Sequence, residues 1–157
     1  MADPREAILN QLLYLASEIP GVVEAARNAP DVPNIKRPAI IVHDGTEQLE
    51  NKPDGERRSR VQLNTLRPVI AILVSIESVS LGTQLNALRA LLLTSVTNDP
   101  ILGGYLWPNG TVQYEGCSVE PIVAESREGR MEVHLALTYP FRVTDLLSPP
   151  SQAVQTG

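Results

Sequence analysis

Six consecutive apolar residues, Val69-Ile70-Ala71-Ile72-Leu73-Val74, follow Pro68 and constrain this chain more than any other feature. The run is too short to cross a membrane and rich in β-branched residues, which favour an extended, pleated backbone. In a strand, successive side chains point to opposite faces, so an unbroken apolar run must be covered on both. After Val74 the pattern alternates through Ser75, Ile76, Glu77 and Ser78. A strand is therefore expected over Pro68 to Val79, its first half in the middle of a sheet.

A second ordered block spans Ile19 to Gly45. Pro20 and Gly21 stop a preceding helix, because Pro cannot continue it and Gly accepts the left-handed exit. Val22 to Arg27 reads as a short strand. Pro30, Pro33 and Pro38 hold the connection extended, and Ala39 to Asp44 forms a covered strand. The helix before it opens with Asp3 as N-cap, Pro4 at the first helical position and Glu6 placed as in a capping box. Ile8, Leu12, Leu15 and Ile19 repeat at helical spacing, widened by Leu9, Leu13 and Ala16. Burying such side chains contributes about 1.5–3 kcal/mol each as an upper estimate, so this helix belongs against a sheet.

Ser80 caps a second helix whose apolar stripe is Leu81, Leu85, Leu88 and Leu92, ended by Asn98-Asp99-Pro100. Ile101 to Leu106 is a short apolar run broken by Gly103 and Gly104, and Pro108-Asn109-Gly110 is a turn. Val112 to Val123 and Met131 to Val143 are expected to pair through a turn around Glu128-Gly129. On the later strand Met131, Val133, Leu135, Leu137, Tyr139 and Phe141 share one face, with Glu132, His134, Ala136 and Thr138 on the other. The order α-β-β-β-α-β-β implies an α+β domain: a mainly antiparallel or mixed sheet with two helices packed on one face. One domain over residues 1–147 is expected, with a long charged loop at 46–59 and a polar tail at 148–157.

Composition narrows the function. The net charge is -5 with no basic cluster, which argues against gripping a nucleic-acid backbone. Phe141 and Trp107 are the only Phe and Trp beside four Tyr, so the core is aliphatic. Cys117 is the only cysteine, which excludes an intrachain disulfide and a Cys-based zinc site. There is no basic start followed by an apolar run, hence no signal peptide is expected, and no apolar segment approaches the length of a spanning helix. Asn109-Gly110-Thr111 matches a glycosylation sequon but serves as a turn.

No catalytic constellation emerges. His43-Asp44 lacks a ligand spacing, and His134 is the only other histidine. Cys117 lies on a strand with no neighbouring basic residue or helix start to activate it. Gly82-Thr83-Gln84 carries one glycine and no phosphate-loop lysine, so it reads as a tight helix entry. Glu115, Glu120, Glu125 and Glu128 read as solvated rim residues. Arg57, Arg58 and Arg60 lie beside Asp54 and Glu56, too few and too balanced for DNA. In a loop reaching a neighbouring subunit such charges set register; the alternative is a loop disordered in the free monomer. Catalytic, cofactor and metal sites are thus expected to be absent.

Three blocks together carry a likeness: Ile19 to Gly45, then Gly82-Thr83-Gln84-Leu85-Asn86-Ala87-Leu88-Arg89-Ala90-Leu91, then Val112-Gln113-Tyr114-Glu115-Gly116-Cys117. In order and wording they resemble the tail terminator (tail-completion, minor tail) proteins of long-tailed bacteriophages, over roughly residues 5–145. The resemblance implies a virion protein without enzymatic activity, made in the host cytoplasm and placed at the head-proximal end of the tail. It implies a homohexameric ring that caps the tail tube protein, stops tail growth and offers a surface to a head-side connector or stopper protein. DNA would pass through its channel without specific binding. Candidate intersubunit or ring–ring contacts are Asp54, Arg57, Arg58 and Arg60 in the loop, and Tyr139 and Phe141 at a strand end. Another ring-forming head–tail connector or neck protein is the alternative reading, and a small enzyme the least supported.

Overall fold

The computed structural model describes residues 3–49, 62–75, 80–120 and 128–141. Helix α1 (Pro4–Ser17) begins at Asp3, whose side chain accepts the amide hydrogen of Arg5 at 2.9 Å. The carboxylate of Glu6 does not close a capping box; it turns outward to Arg27. Ile8, Leu9, Leu12 and Ala16 are buried along one face of α1. Strand β1 (Glu24–Arg27) then runs parallel to β2 (Ala39–Leu49), pairing Glu24 with Ala39 through Arg27 with Val42. A parallel pair cannot be joined by a tight hairpin. The proline-punctuated segment between them is that crossover, and it contains a short 3-10 turn, Asn34–Lys36.

Strand β3 (Gln62–Ser75) is the centre of a five-stranded sheet of order β1-β2-β3-β5-β4, and all its neighbours pair antiparallel. The apolar run is covered on both faces, as its composition demands. Ile70, Ile72 and Val74 point into the main core under the helices. Ala71 and Leu73 point the other way, where with Ala39, Ile41 and Val32 from the crossover they form a second, smaller core. The crossover therefore does for the back of the sheet what the helices do for the front. The strand also starts earlier than Pro68, because Gln62 to Leu66 pair with β5 and Asn64 to Arg67 with β2.

Helix α2 (Leu81–Asn98) is capped by Ser80 and buries Leu81, Leu85, Leu88, Leu92 and Val96. A third helix, α3 (Pro100–Leu106), follows at once where the glycines suggested a broken run. Asp99 ends α2 and caps α3, accepting the amide of Leu102 at 2.7 Å and the side-chain amide of Gln11 at 2.9 Å. Pro100 at the first position and buried Leu102 and Leu106 one turn apart outweigh the low helix propensity of Gly103-Gly104.

Strands β4 (Thr111–Val119) and β5 (Glu128–Phe141) pair antiparallel. Glu128 and Gly129 are not a turn: they belong to β5, opposite Ser75 and Val74. Gly129 is there for packing, since a Cβ would sit 2.9 Å from Val74 Cγ2 and 3.3 Å from Leu85 Cδ1. The connection to β4 lies in residues 121–127, outside the described residues. The first part of the segment expected as a loop is also strand, with Thr46 to Leu49 pairing with Arg67 to Asn64. The shift in register between His43 and Thr46 is absorbed at Gly45, whose φ of +72° few other residues adopt.

The outcome is an α+β domain with the helices on one face of a mixed, mainly antiparallel sheet. Among the described residues, no helix is long and apolar enough to cross a membrane.

Candidate assembly surface

The candidate contact residues fall into two groups. Asp54, Arg57, Arg58 and Arg60 lie outside the described residues. Tyr139, expected as an intersubunit contact at a strand end, is fully buried in the subunit's own core. Its hydroxyl donates to Glu47 Oε1, Asn64 Nδ2 donates to Glu47 Oε2 at 3.2 Å, and Arg5 Nε stands 3.9 Å from the same carboxylate. Burial and the adjacent carboxylate push the Tyr139 phenol pKa well above its ordinary value. Phe141 packs half-buried on the edge of Tyr139, ring centres 6.2 Å apart and planes at 81°. Sequence alternation placed both rings on the correct face but could not show that β2 extends far enough to bring Glu47 over them.

The titratable residues singled out earlier are held in separate places. His43 and Asp44 are neighbours on a strand and point to opposite faces. Asp44 meets Arg27, while His43 lies opposite Val69, which is opposite His134 on its other side. Two strand spacings put the histidine backbones roughly 10 Å apart. Among the described residues, no group of three or more His, Cys, Asp or Glu is placed to hold a metal ion. Cys117 does have a basic neighbour: Arg89 of α2 reaches its Sγ at 3.9 Å and donates to Tyr114 Oη at 3.2 Å. Single-strand reading missed it because the contact comes from a helix packed across β4. Glu115 pairs with Arg67 at 3.2 Å and Glu120 with Arg130 at 3.5 Å. Ser80 Oγ accepts the amide of Thr83 at 3.2 Å, so Gly82-Thr83-Gln84 is a capped helix entry.

Exposed apolar side chains lie on all three helices and along both outer strands of the sheet. On β4 they are Tyr114 and Val119, preceded by Trp107 (75% exposed), with Ile101 and Tyr105 one turn apart on α3, which packs on α1 and β5. Residues 100–114, which run from α3 into the first half of β4, contain no charged residue. Beside β1 they are Val23 (61% exposed) and Ile35 (87%). Both outer strands lack a ladder partner on their outer side among the described residues. None of these positions was expected from the sequence as a contact residue; the uncharged run was the available signal.

No protein-family model matches the chain, and no curated protein matches it in sequence. Among solved structures, it is similar to a chain from the virion of the native gene transfer agent particle. The TM-score is 0.51 at 12% identity, over 87% of this chain and 94% of that one. The likeness is one of fold, over most of each chain.

Proposed function

We propose that this chain is a structural virion protein that assembles as a ring on the end of a phage-type tail tube. The ring would stop tube growth and present the surface to which the head-side connector or stopper binds. The observation that carries this reading is the fold match to a virion chain over nearly the whole of both sequences. It joins the resemblance of the three sequence blocks to tail terminators. Among the described residues, large apolar side chains left exposed, Val23, Ile35, Trp107 and Tyr114 among them, favour a chain that works in contact with other protein.

Six copies, with DNA passing along the central channel, are the arrangement the resemblance implies. The chain's acidic balance suits such a channel, because a basic lining would hold phosphates and slow passage. Arg57, Arg58 and Arg60 with Asp54 are proposed to contact an adjacent subunit or ring.

Electron microscopy of particles made without this protein tests the proposal. Capsids without joined tails, and tails of irregular or excessive length, are expected. Tails of normal length that fail to join would move the protein to the neck or connector, and normal joined particles would exclude both readings.

A further inference from the structure

Among the described residues β1 and β4 have no ladder partner on their outer sides, which suggests how neighbouring copies meet. We propose that copies of this chain join head to tail through their sheets, the outer side of β4 in one copy pairing with β1 of the next. This inference rests on the ring reading and adds the surfaces that make it.

Strand direction is the first support. With β1 pointing up, β2 runs up, β3 down, β5 up and β4 down. If the next copy repeats the same orientation, its upward β1 arrives beside a downward β4. The new ladder is then antiparallel, the more stable pairing per residue. A rotation that repeats one contact in this way also keeps the helices of every copy on the same side of the wall.

Length and chemistry agree. The register shift between Tyr114 and Gly116 limits the first regular part of β4 to Thr111–Tyr114, four residues, against the four of Glu24–Arg27. Thr111 to Tyr114 carries no charge, so this part of the edge lacks the lysines and prolines that usually guard an outer strand. Next to the ladder, Trp107 and Tyr114 on one side would meet Val23 and Ile35 on the other, aromatic anchors against aliphatic surface.

A symmetric pairing of β4 with β4 is the competing arrangement. It would cover one edge and leave β1, Val23 and Ile35 bare in both copies. The head-to-tail contact covers both edges with a single interface, and its repetition closes a ring.

Two double variants test this, each at exposed positions and each first checked for an unchanged melting temperature. V23E with I35E disables the β1 edge; W107E with Y114E disables the β4 edge. Native mass spectrometry of the purified full-length chain is expected to show wild-type rings and monomers of each variant alone. An equimolar mixture is expected to form a species of two chains and no larger one, because only one good edge of each kind remains. If V23E/I35E still forms dimers while W107E/Y114E does not, the interface is symmetric and the proposal is wrong. Rings formed by both variants would leave the ring reading standing and remove these edges from it. A wild-type chain that stays monomeric at every concentration overturns the edge pairing, while the particle experiment above decides the function separately.

Discussion

The guanidinium of Arg27 forks the carboxylate of Asp44, Nε to Oδ1 at 2.8 Å and Nη2 to Oδ2 at 3.0 Å. Its other edge grips Glu6 of α1 through Nη1 at 2.7 Å and Nη2 at 2.9 Å, with Asn10 Oδ1 at 3.1 Å. One side chain on the outermost strand thus ties helix, β1 and β2 together. Two bidentate contacts use the planar fork that lysine lacks.

Replacing Arg27 with Ala is expected to destabilise the subunit by about 1–3 kcal/mol, the range for hydrogen bonds to charged groups. Arg27→Lys should recover little of it. Urea melts of the three proteins check this; an Arg27→Lys variant as stable as wild type would show that charge alone is sufficient.

The same cluster predicts an acid limit. Arg27 holds the pKa values of both Glu6 and Asp44 below the ordinary carboxylate range. Each carboxylate therefore contributes stability fully above its unfolded pKa, about 4, and loses it as pH falls through its lowered folded value. Melting temperature should hold from neutrality to about pH 5 and fall below about pH 4. The fall should be shallower in Arg27→Ala.

Tyr139 predicts an alkaline limit. Its phenol ionises above the ordinary range because burial and Glu47 disfavour the anion. The stability this represents is present below the unfolded tyrosine pKa of about 10 and is lost as pH rises beyond it. Ultraviolet titration should show one of the four tyrosines ionising only with unfolding, and Tyr139→Phe should abolish that step. At neutral pH the same substitution should cost about 1–2 kcal/mol.

Gly45 turns β2 through its bulge with φ at +72°, and a Cβ there would lie 1.9 Å from the carbonyl oxygen of Arg67. Gly45→Ala is expected to cost more than the ~1–2 kcal/mol of left-handed backbone alone. A melting temperature within a degree or two of wild type would mean the bulge reorganises freely.

Because Leu49 pairs with Asn64, a shortened connection between β2 and β3 has to be cut beyond Leu49. Replacing residues 50–59 by a short Asn-Gly link should leave the melting temperature nearly unchanged and abolish tail joining. Normal joining by this variant would remove Asp54, Arg57 and Arg58 from the assembly surface; unfolding would assign the segment to the subunit's stability.

Local rules determined much of this protein from sequence alone. The run Val69 to Val74 could only be a strand covered on both sides, and it lies at the sheet centre with a core on each face. Asp3 and Ser80 cap their helices, and Leu81, Leu85, Leu88 and Leu92 of α2 are buried, because capping and helical spacing depend on neighbours within one or two turns. What tertiary structure decided depends on partners distant in sequence. Gly129 looked like a turn until Val74 and Leu85 closed on it, and Tyr139 like an intersubunit contact until Glu47 came over it from another strand. Leu102 and Leu106 make α3 a helix by packing into the core, against the preference of Gly103-Gly104. Whether an apolar residue faces core or neighbour is settled by which surfaces the sheet leaves uncovered. Strand order is set by long-range pairing, which spacing along the chain does not encode; it put Trp107 and Ile35 at opposite edges, exposed.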